Sequence, residues 1–90
     1  MAELDEEVAG QPEMPVVMHQ AFGSTNVDSF GYDDKRQVLI VKFVGRAPKW
    51  YGAVYEYPAD KALYLRMLAS PSKGKFVREH LDRIPHVRVQ

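Results

Sequence analysis

Cysteine is absent from the 90 residues, which excludes disulfides, thiolate metal sites and a cysteine nucleophile. The lack also fits a reducing compartment, so a cytoplasmic protein is expected. No apolar run approaches the roughly 18 residues of a membrane span, and no membrane association is expected. A basic start leading into an apolar stretch is missing too; residues 1 to 11 read acidic. His19, His80 and His86 share no spacing of a recognised ligand pair, so neither a metal nor a cofactor is expected. No Ser-His-Asp set, nucleophile elbow or isolated carboxylate dyad stands out. Asp33-Asp34 is better explained as turn chemistry. No catalytic residue is assigned, and an enzyme is not expected.

What is present is a small domain's worth of apolar residues, unevenly charged. The hydrophobic share is 46%, with five Tyr, four Phe and one Trp, enough for one compact core near the lower size limit. The formal net charge of zero hides a segregation. Residues 1 to 26 carry Glu3, Asp5, Glu6, Glu7 and Glu13 and no Lys or Arg; the rest holds all 12 basic residues. From Lys61 onward Lys61, Arg66, Lys73, Lys75, Arg78, Arg83 and Arg88 face only Glu79 and Asp82. Such segregation fits a basic face for a polyanion with an acidic tail that screens it. The plainer alternative is a solubilising tail on an ordinary domain.

The order of elements follows from local patterning. Residues 1 to 14 are acidic, interrupted by Gly10 and Pro12, and too poor in apolar groups to offset the entropy of ordering. Residues 1–22 are therefore expected to be a flexible acidic tail and 23–90 a single domain. Within the tail, Val16-Val17-Met18 and Phe22 are apolar enough to add a short strand or to lie against the body. Gly23 to Asn26 reads as a turn. Val27 to Tyr32 alternates, with Phe30 and Tyr32 on one face, and Asp33 to Arg36 reverses the chain. Gln37 to Val44 is the strongest strand; apolar residues on both of its faces suggest a central position. A third strand from Trp50 or Tyr51 to Tyr57 puts Tyr55 and Tyr57 on one side. Pro58 stops it, and Asp60 is a plausible N-cap for a helix through Ala69, apolar around most of its circumference and so expected to be buried. Pro71 ends that helix. Ser72 can cap a second, near Lys73 to Arg83, with Phe76, Val77 and Leu81 at helical spacing, and residues 86–89 can return as an edge strand. Strands followed by helices, without βαβ alternation, predict an α+β fold: a three- to four-stranded antiparallel meander packed against two helices.

Five pieces, in order, carry a resemblance. They are Ser24-Thr25-Asn26-Val27, Gly31-Tyr32-Asp33, Leu39 to Phe43, Tyr55-x-Tyr57 and Ser72-Lys73-Gly74-Lys75-Phe76. Together they resemble the KTSC domain family, over roughly residues 24 to 84. That family occurs at the C-terminus of some lysyl-tRNA synthetases and as lone bacterial proteins. Two departures are extra residues before Tyr55 (Gly45 to Ala53) and a shortened segment at Pro58-Ala59-Asp60. The resemblance implies the α+β fold and no established activity; the synthetase association implies RNA as a partner.

Two stretches are candidate binding elements. At Ser72-Lys73-Gly74-Lys75 a helix start offers free N–H groups, and Gly74 lets backbone approach an anion. Lys73 and Lys75 add charge, Arg78 lies one turn on, and Arg83 and Arg88 extend the patch. It is not a P-loop, because the upstream glycine and the hydroxyl residue after Lys75 are absent. The alternative is an ordinary capped helix with solvated lysines. Tyr55 and Tyr57 on an open sheet face would stack on unpaired bases; if helices cover that face the rings are core, and Trp50 and Tyr51 at the strand start become the better candidates. The expected function is a small binding module for RNA or another polyanion, with a protein-interaction module as the alternative. A monomer is expected.

Overall fold

The computed structural model describes residues 16–45 and 52–90. The acidic stretch before Val16, Trp50 and Tyr51 lie outside the described residues. Within them, five strands form one antiparallel sheet in chain order: β1 His19–Gln20, β2 Val27–Asp33, β3 Val38–Phe43, β4 Val54–Pro58 and β5 Val87–Arg88. The β-branched run of β3 occupies the centre, as apolar residues on both faces require. Between β4 and β5 come helix α1, Lys61–Ala69, and helix α2, Lys73–Phe76, which continues into a π-helical turn over Val77–Leu81. The architecture is the expected α+β meander, with one more strand.

That extra strand is β1. His19 pairs with Phe30 and Gln20 with Ser29, and the Ala21 N–H donates to the Asp28 carbonyl at 3.0 Å. Just upstream, residues 16–18 lie against Gly31, where an added Cβ would sit 2.5 Å from the Val17 carbonyl oxygen. Only glycine permits that approach. The expected boundary between tail and domain, at residue 22, therefore falls too late: residues 16–22 already belong to the folded unit.

Packing is decided by a bulge. Strict alternation would set Val27 opposite Phe30, but the β2–β3 register shifts between Val27 and Ser29. The extra residue turns Val27 onto the same face as Phe30. That face also carries Leu39, Val41 and Tyr57, and it is closed by Met67, Phe76, Val77 and Leu81 from the helical layer; all are buried. α1 departs from expectation. Only its Met67 is buried, while Leu65 and Leu68 stay 49% and 40% exposed. A helix on one side of a small sheet can turn a single stripe inward, here Leu63, Tyr64 and Met67.

Local signals place the helix starts as read. The Asp60 carboxylate accepts from the Leu63 N–H at 3.0 Å, and the Ser72 hydroxyl accepts from the Lys75 N–H at 3.3 Å. The turn between β2 and β3 is held by Asp33, whose carboxylate accepts from the N–H groups of Lys35 at 3.0 Å and Arg36 at 3.2 Å. The Arg36 guanidinium donates to Asp33 at 2.9 Å and, bidentate, to Glu56 on β4 at 3.1 and 2.7 Å. Such forked pairs fix geometry as well as charge. The turn also carries Gln37 at φ 55°, a left-handed conformation rarely adopted outside glycine and Asn or Asp.

These bonds, led by the one from the Arg36 side chain, hold the Asp33 carboxyl below its ordinary 3.8. A depressed pKa in the folded state means the ionised group stabilises the fold above 3.8, and that contribution disappears as pH falls through the lower folded value. Asp33→Asn is expected to lower the thermal midpoint at neutral pH and to flatten its decline below 3.8. An acid slope identical to that of the natural chain would refute the role given to Asp33.

Candidate functional site

Two segments far apart in the sequence meet at Gly74. The first is the turn leading into β2. Gly23, at φ 81°, lets the Ser24 N–H return to the Ala21 carbonyl at 3.1 Å. The Ser24 hydroxyl accepts from the N–H groups of Asn26 at 3.2 Å and Val27 at 2.9 Å. With its acceptor side engaged, its one proton remains to be donated. The second segment is the start of α2, where the Ser70 hydroxyl donates to the Ser72 carbonyl at 3.1 Å. A Cβ added at Gly74 would lie 3.6 Å from the Asn26 Cβ, 3.7 Å from the Ser24 Oγ and 4.0 Å from an Arg78 Nη. Beside this junction a cleft of about 420 Å³ opens between residues 20–24 and 71–73.

The basic residues divide sharply by role. Lys73 turns inward: its ammonium donates to the carbonyls of Ser70 and, at 3.3 Å, Leu68, and lies 5.8 Å from the Phe30 ring centroid. A cation on the last carbonyls of α1 complements the negative end of that helix. The phosphate role read for Lys73 is thus displaced by a structural one. Lys75 is exposed and lies 3.9 Å from Glu79, a solvated pair of little strength. Arg78 and Arg83 are exposed and make no ion pair among the described residues. Arg88 stands across from Tyr55 on β5, at the sheet edge opposite β1, so it does not extend the patch around Gly74.

The tyrosines follow the packed alternative. Tyr57 is 2% exposed and Tyr55 half-buried, and both lie under the ring of His86, with centroids 4.8 and 5.3 Å away. Burial, with a smaller contribution from Asp82, pushes the Tyr57 hydroxyl up to about 12. The face that carries the pair is the helix-covered one, so Tyr57 presents no ring to a base. Trp50 lies outside the described residues. The exposed aromatic of this region is one the sequence reading did not assign, Phe22, 91% exposed on the rim of the cleft. Ser24 and Asn26 were visible as a motif, but nothing in the linear order tied them to Gly74.

Among the described residues no three His, Asp or Glu lie close enough to hold a metal ion, and no helix is long and apolar enough to cross a membrane. The geometry defines a small α+β domain whose two polar motifs converge beside a cleft. The family model of the KTSC domain matches residues 23–84, and the chain belongs to the KTSC domain family. No functionally curated protein matches it. Among solved structures, a KTSC domain protein from Yersinia pestis is similar at a TM-score of 0.68 and 18% identity, over 84% of this chain and 100% of that one. That likeness concerns the fold. The family carries no assigned function.

The inward role of Lys73 is testable by stability alone. Lys73→Met is expected to lower unfolding stability by about 0.5–1 kcal/mol in urea, whereas Lys75→Met should move it by less than about 0.5 kcal/mol. Equal effects of the two would show that Lys73 is as solvated as Lys75.

Proposed function

We propose that this domain is a non-enzymatic module that binds the phosphate backbone of RNA around Gly74. The observation that carries this reading is the convergence of Ser24 and Asn26 on Gly74 next to an Arg78 guanidinium without an ion pair among the described residues. A hydroxyl proton, an amide side chain and a planar cation suit an oxyanion of a phosphodiester. Gly74 itself is buried, so its backbone is not the open anion seat expected from the sequence, and the side chains around it make the contact. Lys75 adds a mobile charge, Arg83 lies further along the same segment, and Lys73 contributes through its field alone. Binding of this kind is salt-sensitive and reads little sequence. Tyr55, Tyr57 and Arg88 have no part in it.

A second reading has its own observation. β3, β4 and β5 turn Val38, Ile40, Val54 and Val87 to the sheet face away from the helices, where a protein partner or a second copy would find apolar surface. Sedimentation velocity over a wide concentration range checks it, and a constant coefficient would remove self-association from consideration.

Fluorescence anisotropy with labelled single-stranded and duplex RNA at two salt concentrations tests the first reading. Arg78→Ala should weaken binding several-fold for any sequence and lower the salt slope by about 1. Gly74→Ala makes the sharper test. The added methyl meets only ordinary contacts at 3.6 Å and beyond and favours helix, so stability should hold or rise by up to about 1 kcal/mol. Binding should nevertheless fall, because the methyl fills the contact between buried Gly74 and the Ser24 and Asn26 side chains that would hold the anion. Unchanged affinity in both variants would sink the site.

A further inference from the structure

We infer that the cleft beside Gly74 takes one unstacked base of a single-stranded nucleic acid, with Phe22 as its stacking platform. This rests on the phosphate-binding reading and adds the form of the ligand. Phe22 sits at the tip of a tight turn whose shape is set by Gly23 at φ 81° and by the Ser24-to-Ala21 bond of 3.1 Å. Its ring is 91% exposed and forms no ring pair with another aromatic among the described residues. The turn is anchored on both sides, at Ala21 to Asp28 and at Val44 to Asn26 by bonds of 3.0 and 2.9 Å. A large apolar ring is thereby held out in water on rigid backbone.

The cleft it lines, of about 420 Å³, falls within the roughly 300–1,000 Å³ of small-ligand sites. Pro71 and Ser72 form the facing wall, and Lys73 brings a positive charge to the boundary. Ser24 joins the two halves: it lines the cleft and also touches Gly74. A base seated on Phe22 would place its own phosphate near the Ser24 hydroxyl, with Arg78 next along the strand. Aromatic platforms beside basic grooves are the usual means of holding single strands, because every base has a flat face and a duplex keeps its faces stacked internally.

The test uses the full chain with a labelled oligouridine, its duplex with oligoadenine, and inorganic polyphosphate, and with uridine monophosphate as competitor. The single strand should bind better than the duplex. Phe22→Ala should weaken single-strand binding about 5- to 100-fold and leave polyphosphate binding unchanged; Phe22→Trp should retain the single-strand affinity. Because the ring is exposed, neither change threatens folding. If Phe22→Ala leaves the single strand unaffected, or weakens polyphosphate equally, base stacking is overturned even where Arg78→Ala lowers all affinities and the phosphate reading survives. Competition by the mononucleotide at the same concentration as the oligomer would overturn a strand as the ligand. Absence of any binding at low salt would overturn both readings together.

Discussion

The Phe30 ring is where the layers of this domain are joined. It is fully buried, lies across from Val41 on the central strand, and contacts His19 of β1 at 5.5 Å and Tyr64 of α1 at 6.2 Å between ring centroids. The Lys73 ammonium lies 5.8 Å from it. Sheet, first helix and the start of the second thus share one side chain, of a type whose truncation in a core costs about 3–5 kcal/mol. Around it His19 and Tyr64 share a 2.8 Å hydrogen bond, and Tyr32 stacks on Tyr64 at 5.2 Å while its hydroxyl donates to the Ala59 carbonyl at 2.8 Å. The apolar contacts hold α1 on the sheet, and the polar tips fix its angle.

The position of α2 depends on that arrangement. The chain between the helices is only Ser70-Pro71-Ser72, and Lys73 bridges the break by binding carbonyls at the end of α1. This ties the start of α2 to the end of α1, and Gly74 comes against Ser24 and Asn26 of the turn before β2. Further on, the π-helical turn over Val77–Leu81 keeps Val77 and Leu81 in the core and leaves Arg78 outward. Wide turns of this kind often occur at functional sites, at some cost in backbone hydrogen bonding. The exposed cations nearest the junction, Arg78 and the Glu79-paired Lys75, lie on the outer side of a segment whose inner side is fixed by burial.

Much of this was legible in the residues. The β-branched run of β3, the caps at Asp60 and Ser72 and the turn at Asp33 all act through neighbours in the chain, and each appears where local chemistry puts it. The burial of α1 was overestimated, because circumferential apolarity counts residues without counting the surface available to receive them. β1 was treated as tail because its two residues carry no strand signal of their own; they pair only because β2 offers a free edge. The tyrosine pair shared a face as read, yet period-two alternation does not say which face the helices will cover.

By itself, the sequence determined the class of fold, the order of elements, their caps and turns, and the family motifs, since each depends on contacts within a few residues. The tertiary structure alone decided which charges remain free. Lys73 and Lys75 are two residues apart and chemically identical, but one meets the carbonyl end of another helix and the other meets water. The union of Ser24, Asn26 and Gly74, and the cleft with Phe22 on its rim, were likewise settled by packing. They join segments nearly fifty residues apart, whose meeting depends on how the helices close over Phe30.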